Sequence, residues 1–211
     1  MTRSTVLPAV ALLLSSCGPK TLTLPDDPVE RAATCGVVAA NSARGATADI
    51  KAPLPFEEIG RVMHFLLLAS STGKGFSSET AKQVQTRMTA LQDEIAEGKW
   101  RDLIPACRAA YPEAYATKVK LPADRFDAQL GCYELADFLR SALQDQGKYD
   151  NEIAEYGALK LKLDPVIGPG MRARAGAELA DQQQERQEAL AAMAKAGSPV
   201  LVMRQCNARF G

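Results

Sequence analysis

Apolar residues recur every three or four positions along most of the chain, which is the period of a helix with one buried face. The segment 56–70 shows this most strongly, with five apolar residues on one side: Ile59, Val62, Met63, Leu66 and Leu67. Alanine is abundant and runs of β-branched residues are scarce, which favours helix over strand. The pattern predicts an all-α protein.

Four cysteines lie in the middle of such apolar stripes. The first stripe follows Asp27-Pro28, a typical helix start in which Glu30 could reach back to the cap. Pro122 is expected to open the helix that carries the third stripe. In chain order the stripes are Ala32, Cys35, Val38 and Ala39; Leu103, Cys107 and Tyr111; Ala128, Cys132, Leu135, Leu139 and Leu143; and Val202, Cys206 and Phe210.

Part of the sequence is similar to a later part of the same chain. A shift of 99 positions aligns residues 79–111 with 178–210 without a gap, and ten of the 33 aligned pairs are identical. Each copy has a long polar helix followed by a glycine, Gly98 or Gly197, that could end the helix in the left-handed conformation. The alignment predicts an internal duplication with two similar four-helix units, residues 28–121 and 122–211.

The second unit has an ambiguous middle segment. Residues 159–163 alternate between leucine and lysine, but we interpret them as part of a helix that ends near Asp164-Pro165. A turn at 168–170, Gly-Pro-Gly, is then expected to precede another helix start. Arg172 and Arg174 would lie in its first turn, where they could contact an anion or an acidic partner.

Composition and charge narrow the function classes. Apolar residues make up 46% of the 211 residues, which is enough for a folded core. The 25 basic residues balance the 25 acidic ones, so there is no electrostatic reason to expect nucleic-acid binding.

The N-terminus has the features of a secretion signal. Arg3 precedes a short apolar run, and the run leads to Leu-Ser-Ser-Cys at 14–17. These four residues resemble the lipobox of bacterial lipoproteins, in which the cysteine receives a lipid and becomes the first mature residue. The resemblance implies a signal peptide at 1–16, lipidation of Cys17, a membrane anchor and a periplasmic environment. In that family the non-acidic Gly18 implies sorting to the outer membrane, and residues 17–27 would form a lipidated tether.

Export would place the other four cysteines in an oxidising compartment, where an even number suggests two disulfides. Cys35 and Cys107 are separated by 72 positions, and Cys132 and Cys206 by 74. This near-equal spacing favours the pairs Cys35–Cys107 and Cys132–Cys206, one in each unit. The alternative joins Cys107 to Cys132 and Cys35 to Cys206.

No motif nominates a catalytic residue, a metal site or a cofactor. His64 is the sole histidine and has no evident nucleophile or acid to work with, so we interpret it as structural. The cysteines lack the spacing of zinc ligands. The glycines of Gly73-Lys74-Gly75 suggest a turn between helices, because the rest of a phosphate-binding loop is missing.

The closing helix of the first unit carries a second, faint resemblance. Residues 107–112, Cys-Arg-Ala-Ala-Tyr-Pro, are similar to the Cys-x-x-x-Tyr ending of small helical immunity proteins. Those proteins neutralise type VI secretion amidases in the periplasm. The resemblance implies that the chain could inhibit a secreted cell-wall enzyme.

Three functions remain open at this point. A non-catalytic lipoprotein that binds another envelope protein, or assists assembly, is the leading hypothesis, because duplicated helical units without converging polar residues usually present a surface. An immunity or inhibitor lipoprotein is the second. An enzyme that acts on cell-wall or lipid substrates is the third, and it would need a cleft that gathers carboxylates from distant segments.

Overall fold

The computed structural model of the protein describes residues 21–45, 53–144 and 147–211. The predicted signal peptide, residues 1–16, and the predicted lipidation site, Cys17, lie outside these ranges. Within them the chain is helical and contains no strand, which confirms the all-α prediction.

Eight α-helices lie in the described part of the chain. They are α1 (Pro28–Arg44), α2 (Phe56–Ser70), α3 (Ser78–Glu97), α4 (Ile104–Ala110), α5 (Arg125–Leu143), α6 (Asp150–Ala175), α7 (Leu179–Ala196) and α8 (Pro199–Phe210). Two short 3₁₀-helices, Trp100–Leu103 and Pro112–Tyr115, flank α4. Each predicted unit thus contains four α-helices, while the internal duplication stays a prediction of the sequence alignment.

Helix α1 starts as its sequence predicts. The carboxylate of Asp27 accepts hydrogen bonds from the backbone N–H groups of Val29 and Glu30, at 3.0 and 2.9 Å, and Pro28 is the first helical residue. The prediction that Glu30 reaches back to the cap is wrong, because its carboxylate pairs with Arg87 on α3. The first turn of α1 is therefore tied to α3.

The two disulfides have the predicted pairing. Cys35 of α1 joins Cys107 of α4, and Cys132 of α5 joins Cys206 of α8, with Cα–Cα distances of 5.4 and 5.7 Å. All four cysteines are fully buried. The alternative pairing, Cys107 with Cys132 and Cys35 with Cys206, is excluded.

Helix α2 occupies the centre of the molecule. It packs against α1 and α3 of the first half and against α7 and α8 of the second half. Its residues belong to two cores, since Phe65 and Leu68 pack around the Cys35–Cys107 disulfide whereas Leu67 packs with the side chains around Cys132–Cys206. The close approach to α8 depends on Gly60, where a Cβ would overlap the side chain of Val200.

The prediction that the middle helix of the second half ends near Asp164-Pro165 is wrong. Helix α6 runs on to Ala175 and includes Pro165, Pro169 and the expected Gly-Pro-Gly turn at 168–170. Both prolines are exposed, so their rings point away from the core. On the opposite side the buried stripe continues past them: Tyr156, Leu159, Leu163, Ile167 and Met171.

An energetic comparison explains why local signals failed in α6. A proline in a helix interior costs roughly 3 kcal/mol. Two prolines thus cost roughly 6 kcal/mol. Burial of a large apolar side chain contributes about 1.5–3 kcal/mol, so the buried stripe of α6 from Tyr156 to Met171 outweighs this cost. Tertiary packing therefore carries the helix through two residues that usually end one.

Two smaller predictions about helix ends also need correction. The first is that Gly98 and Gly197 end their helices in the left-handed conformation. Gly98, which follows α3, has a φ of −89° and is not left-handed, whereas Gly197, which follows α7, has a positive φ of 144°. Helix α5 begins at Arg125 rather than at Pro122, because the carboxylate of Asp124 caps it by accepting from the N–H of Asp127 at 2.9 Å.

The described part of the predicted tether, residues 21–27, packs on the helices. Leu22 and Leu24 are half-buried and join the core around Cys35–Cys107. Leu22 lies directly on Gly98, where a Cβ would be 2.7 Å from its Cδ1 atom. Leu22 can therefore pack at this position because Gly98 has no side chain.

We expect each disulfide to contribute up to about 4 kcal/mol to the free energy of unfolding, because each closes a loop of more than 70 residues in the unfolded chain. Urea denaturation should show that the double variants Cys35→Ala/Cys107→Ala and Cys132→Ala/Cys206→Ala lose similar amounts of unfolding free energy relative to the wild type. An unchanged urea midpoint in either variant would contradict the expectation.

Candidate functional site

A groove of about 600 Å³ runs between α2, α3 and α5. Its lining is mostly apolar and comes from those three helices and the loop between α2 and α3. The lining residues are Ile59, Val62, Met63, Leu66, Phe76, Ser78, Ala81, Lys82, Gln85, Met88, Phe138, Ser141 and Ala142. An apolar concavity with a few polar groups at its edge is typical of a binding site.

The central feature of the groove is one stripe of α2. Ile59, Met63 and Leu66 follow each other at helical spacing and are each only partly buried. The sequence pattern placed them with Val62 and Leu67 on one side of the helix. The structure divides this set, because Val62 and Leu67 are buried whereas the other three remain accessible to solvent.

Aromatic residues shape one side of the groove. Phe76 and Phe138 meet edge-to-face, with ring centroids 5.6 Å apart. The backbone around Phe76 is fixed, since its N–H donates to the carbonyl of Gln187 on α7 at 2.9 Å. The adjoining segment 73–75 forms the turn between α2 and α3 that was predicted.

Among the described residues that line the groove, Lys82 alone carries a charge, and it forms no ion pair with any described residue. Its side chain is exposed on α3. A partner with apolar side chains and a nearby carboxylate would match this lining.

The arginines predicted to contact an anion lie elsewhere. Arg172 and Arg174 occupy the last turn of α6, so the expected position at a helix start is wrong. Cations are favoured at this end by the helix dipole. Arg174 pairs with the protein's own carboxylates: Asp124, Asp127 and Glu185.

His64 is fully buried between α2 and α7. Its Nε2 atom lies 2.7 Å from the carbonyl oxygen of Ala194, and because a carbonyl only accepts, Nε2 must donate. Its Nδ1 atom has no partner among the described residues. Burial lowers the pKa of His64 to about 4, against the raising effects of the Ala194 hydrogen bond and the charge of Glu113. The imidazole is therefore neutral near pH 7, and its hydrogen bond links α2 of the first half to α7 of the second.

The described ranges contain no group of three or more histidine, cysteine, aspartate or glutamate side chains that could hold a metal ion. In the same ranges no helix is both long and apolar enough to cross a membrane.

Comparisons with known proteins found no matching family model, no similar curated protein and no similar solved structure.

Sequence reasoning missed the groove, although one signal pointed to it. The apolar residues of 62–68 extend around nearly the whole helix: Val62, Met63, Phe65, Leu66, Leu67 and Leu68. A helix with such a pattern needs apolar neighbours on every side. Any side without a neighbouring helix becomes an exposed apolar surface.

We expect His64 to make the protein less stable in acid. The unfolded chain binds a proton at this histidine between pH 6.5 and 4, whereas the folded protein does not. The contribution of the neutral His64 ring to the free energy of unfolding is therefore complete above pH 6.5. It decreases as the pH falls from 6.5 to 4, and at pH 4 it is smaller by about 3 kcal/mol.

Urea titrations of the wild type and His64→Gln across this range provide the measurement. Glutamine can still donate to the carbonyl of Ala194 but does not titrate. The free energy of unfolding of the wild type, measured relative to that of His64→Gln, should fall by about 3 kcal/mol between pH 6.5 and 4. A difference that is constant over this range would contradict the assignment.

Proposed function

We propose that this chain is a lipid-anchored protein of the bacterial envelope that binds another protein through the groove between α2, α3 and α5. The lipobox-like residues at 14–17 support the anchor. The observation that carries the binding role is the accessible apolar stripe of α2, Ile59, Met63 and Leu66, which lies in a groove walled by α3 and α5. In this proposal the protein is not an enzyme, and its membrane is the outer membrane with the domain in the periplasm.

The partner that best fits is an amphipathic helix or segment of another envelope protein, with an acidic residue placed to meet Lys82. Apolar side chains from three helices form the floor and walls, which is the arrangement used to bind a helix in a groove. Met63 and Met88 are flexible and polarisable, so they adapt to the shape of a bound side chain. The unpaired charge of Lys82 would select a carboxylate.

The anchor has a direct test. When cells that express the full chain are grown with radioactive palmitate, the protein should become labelled. In Cys17→Ser both the label and the association with the membrane should disappear. The disulfide-bonded cysteines remain as internal controls, because they are buried in the folded domain. A wild-type protein that carries no acyl chain would overturn this part of the proposal.

The groove is tested by photo-crosslinking in cells. Gln85 and Gln83 are both exposed on α3, but only Gln85 lines the groove. A photoreactive residue at Gln85 should give a discrete adduct with one envelope protein, and the same residue at Gln83 should not. Met63→Asp should abolish the adduct by placing a charge in the apolar floor, while Met63→Leu should retain it.

The identity of the adduct decides between functions. A structural or assembly protein supports the proposal as stated, and a secreted cell-wall enzyme would indicate the inhibitor role instead. An adduct between two copies of this chain, or equal adducts from Gln85 and Gln83, would contradict the proposal.

A further inference from the structure

The N-terminal part of the described chain is fixed to one end of the molecule. Leu22 sits on Gly98, at the C-terminal end of α3, and Leu24 packs on the same core. Arg31 holds the next residues, since its side chain donates to the backbone carbonyls of Pro25 and Asp26 at 2.9 and 2.6 Å. The chain therefore leaves the helical domain beside Gly98 and not at an arbitrary point.

The distance from this point to Cys17 is short. Four residue steps separate Cys17 from Thr21, and an extended chain spans at most about 3.3–3.6 Å per residue. A lipid on Cys17 would thus lie within about 14 Å of Thr21. Since the lipid chains enter the bilayer at Cys17, the surface next to Leu22 must come close to the lipid headgroups.

We propose that the end of the molecule formed by Leu22, Gly98, Trp100 and Arg101 faces the phospholipid bilayer, and we call it the anchor end. This inference rests on the proposed lipidation of Cys17 and adds the orientation of the domain.

The charges at the anchor end balance each other. Arg101 lies over the ring of Trp100 at 4.3 Å, and it is exposed together with Lys99. Glu97 and Asp102 are exposed beside them. The net charge of this surface is therefore close to zero, so the orientation depends on the short segment between Cys17 and Thr21 and not on attraction to charged lipids.

The orientation places the groove away from the bilayer. The residues of α3 that line it lie between Ser78 and Met88, whereas the anchor end follows Glu97, the last residue of this 20-residue helix. At 1.5 Å per residue, Lys82 lies about 22 Å along the helix from Glu97. The groove would then be open to a partner on the periplasmic side of the domain.

Energy transfer from tryptophan to lipid tests the orientation, because Trp100 is the sole tryptophan of the chain. The full chain would be purified with its lipid and reconstituted into phosphatidylethanolamine and phosphatidylglycerol vesicles that contain a dansyl-headgroup lipid. The matched reporter is Trp100→Phe/Lys82→Trp, which moves the donor along α3 to the groove. Mass spectrometry confirms acylation of each sample, and circular dichroism confirms that each is folded.

We expect transfer from Trp100 to exceed transfer from the Lys82→Trp reporter by about twofold or more, because energy transfer falls steeply with the distance to the headgroups and the two positions are separated by up to about 22 Å along α3. Insertion of ten glycine and serine residues after Lys20 should remove this difference, since the longer segment no longer fixes the orientation. Gly98→Leu, which displaces Leu22, should reduce it as well.

The ways in which the proposal can fail are distinguishable. Equal transfer from the two reporters in acylated protein, or a difference that survives the insertion, would overturn the orientation and leave the anchor intact. Absence of an acyl chain on Cys17 would overturn the anchor and the orientation together.

Discussion

The need to remove α2 from water governs this fold. The helix carries large apolar side chains on nearly every side, and burial of each contributes about 1.5–3 kcal/mol. Two neighbouring helices from each half of the chain cover it: α1, α3, α7 and α8. The polar His64 is accepted into this setting because its ring donates to the Ala194 carbonyl across the boundary between the halves. The two predicted units consequently share one central helix, and the groove is the part of that helix that no neighbour covers.

Much of the fold could be predicted because the information is local. The stripe around each cysteine needs only the helical period, and all the members of the Cys132 stripe are buried as expected. The disulfide pairing followed from two nearly equal separations. The boundaries of α6 could not be predicted this way, because Pro165 and Pro169 are strong local stop signals. Their cost is outweighed only when the buried side of the same helix finds its partners in the folded protein.

The candidate site was less accessible to sequence reasoning for a related reason. Whether Met63 lies in a core or in a groove depends on which helices stand next to α2, and its position in the apolar pattern is the same in both cases. The seat of Leu22 on Gly98 is also a tertiary feature, since the glycine suggests a helix end and says nothing of what packs on it. The ion pairs of Arg174 likewise join α6 to α5 and α7, which only the folded chain brings together.

The disulfide connectivity has a consequence for how the chain matures. Cysteines 35, 107, 132 and 206 pair in the order in which they occur, first with second and third with fourth. If the polypeptide were oxidised as it emerged, starting from its amino terminus, only one of these four thiols would be unpaired at a time. The next of them to emerge would then be its native partner. Only the thiol of Cys17 would disturb this order, by competing for Cys35. In the proposed lipoprotein, conversion of the Cys17 thiol to a thioether would remove this competitor before the other cysteines pair.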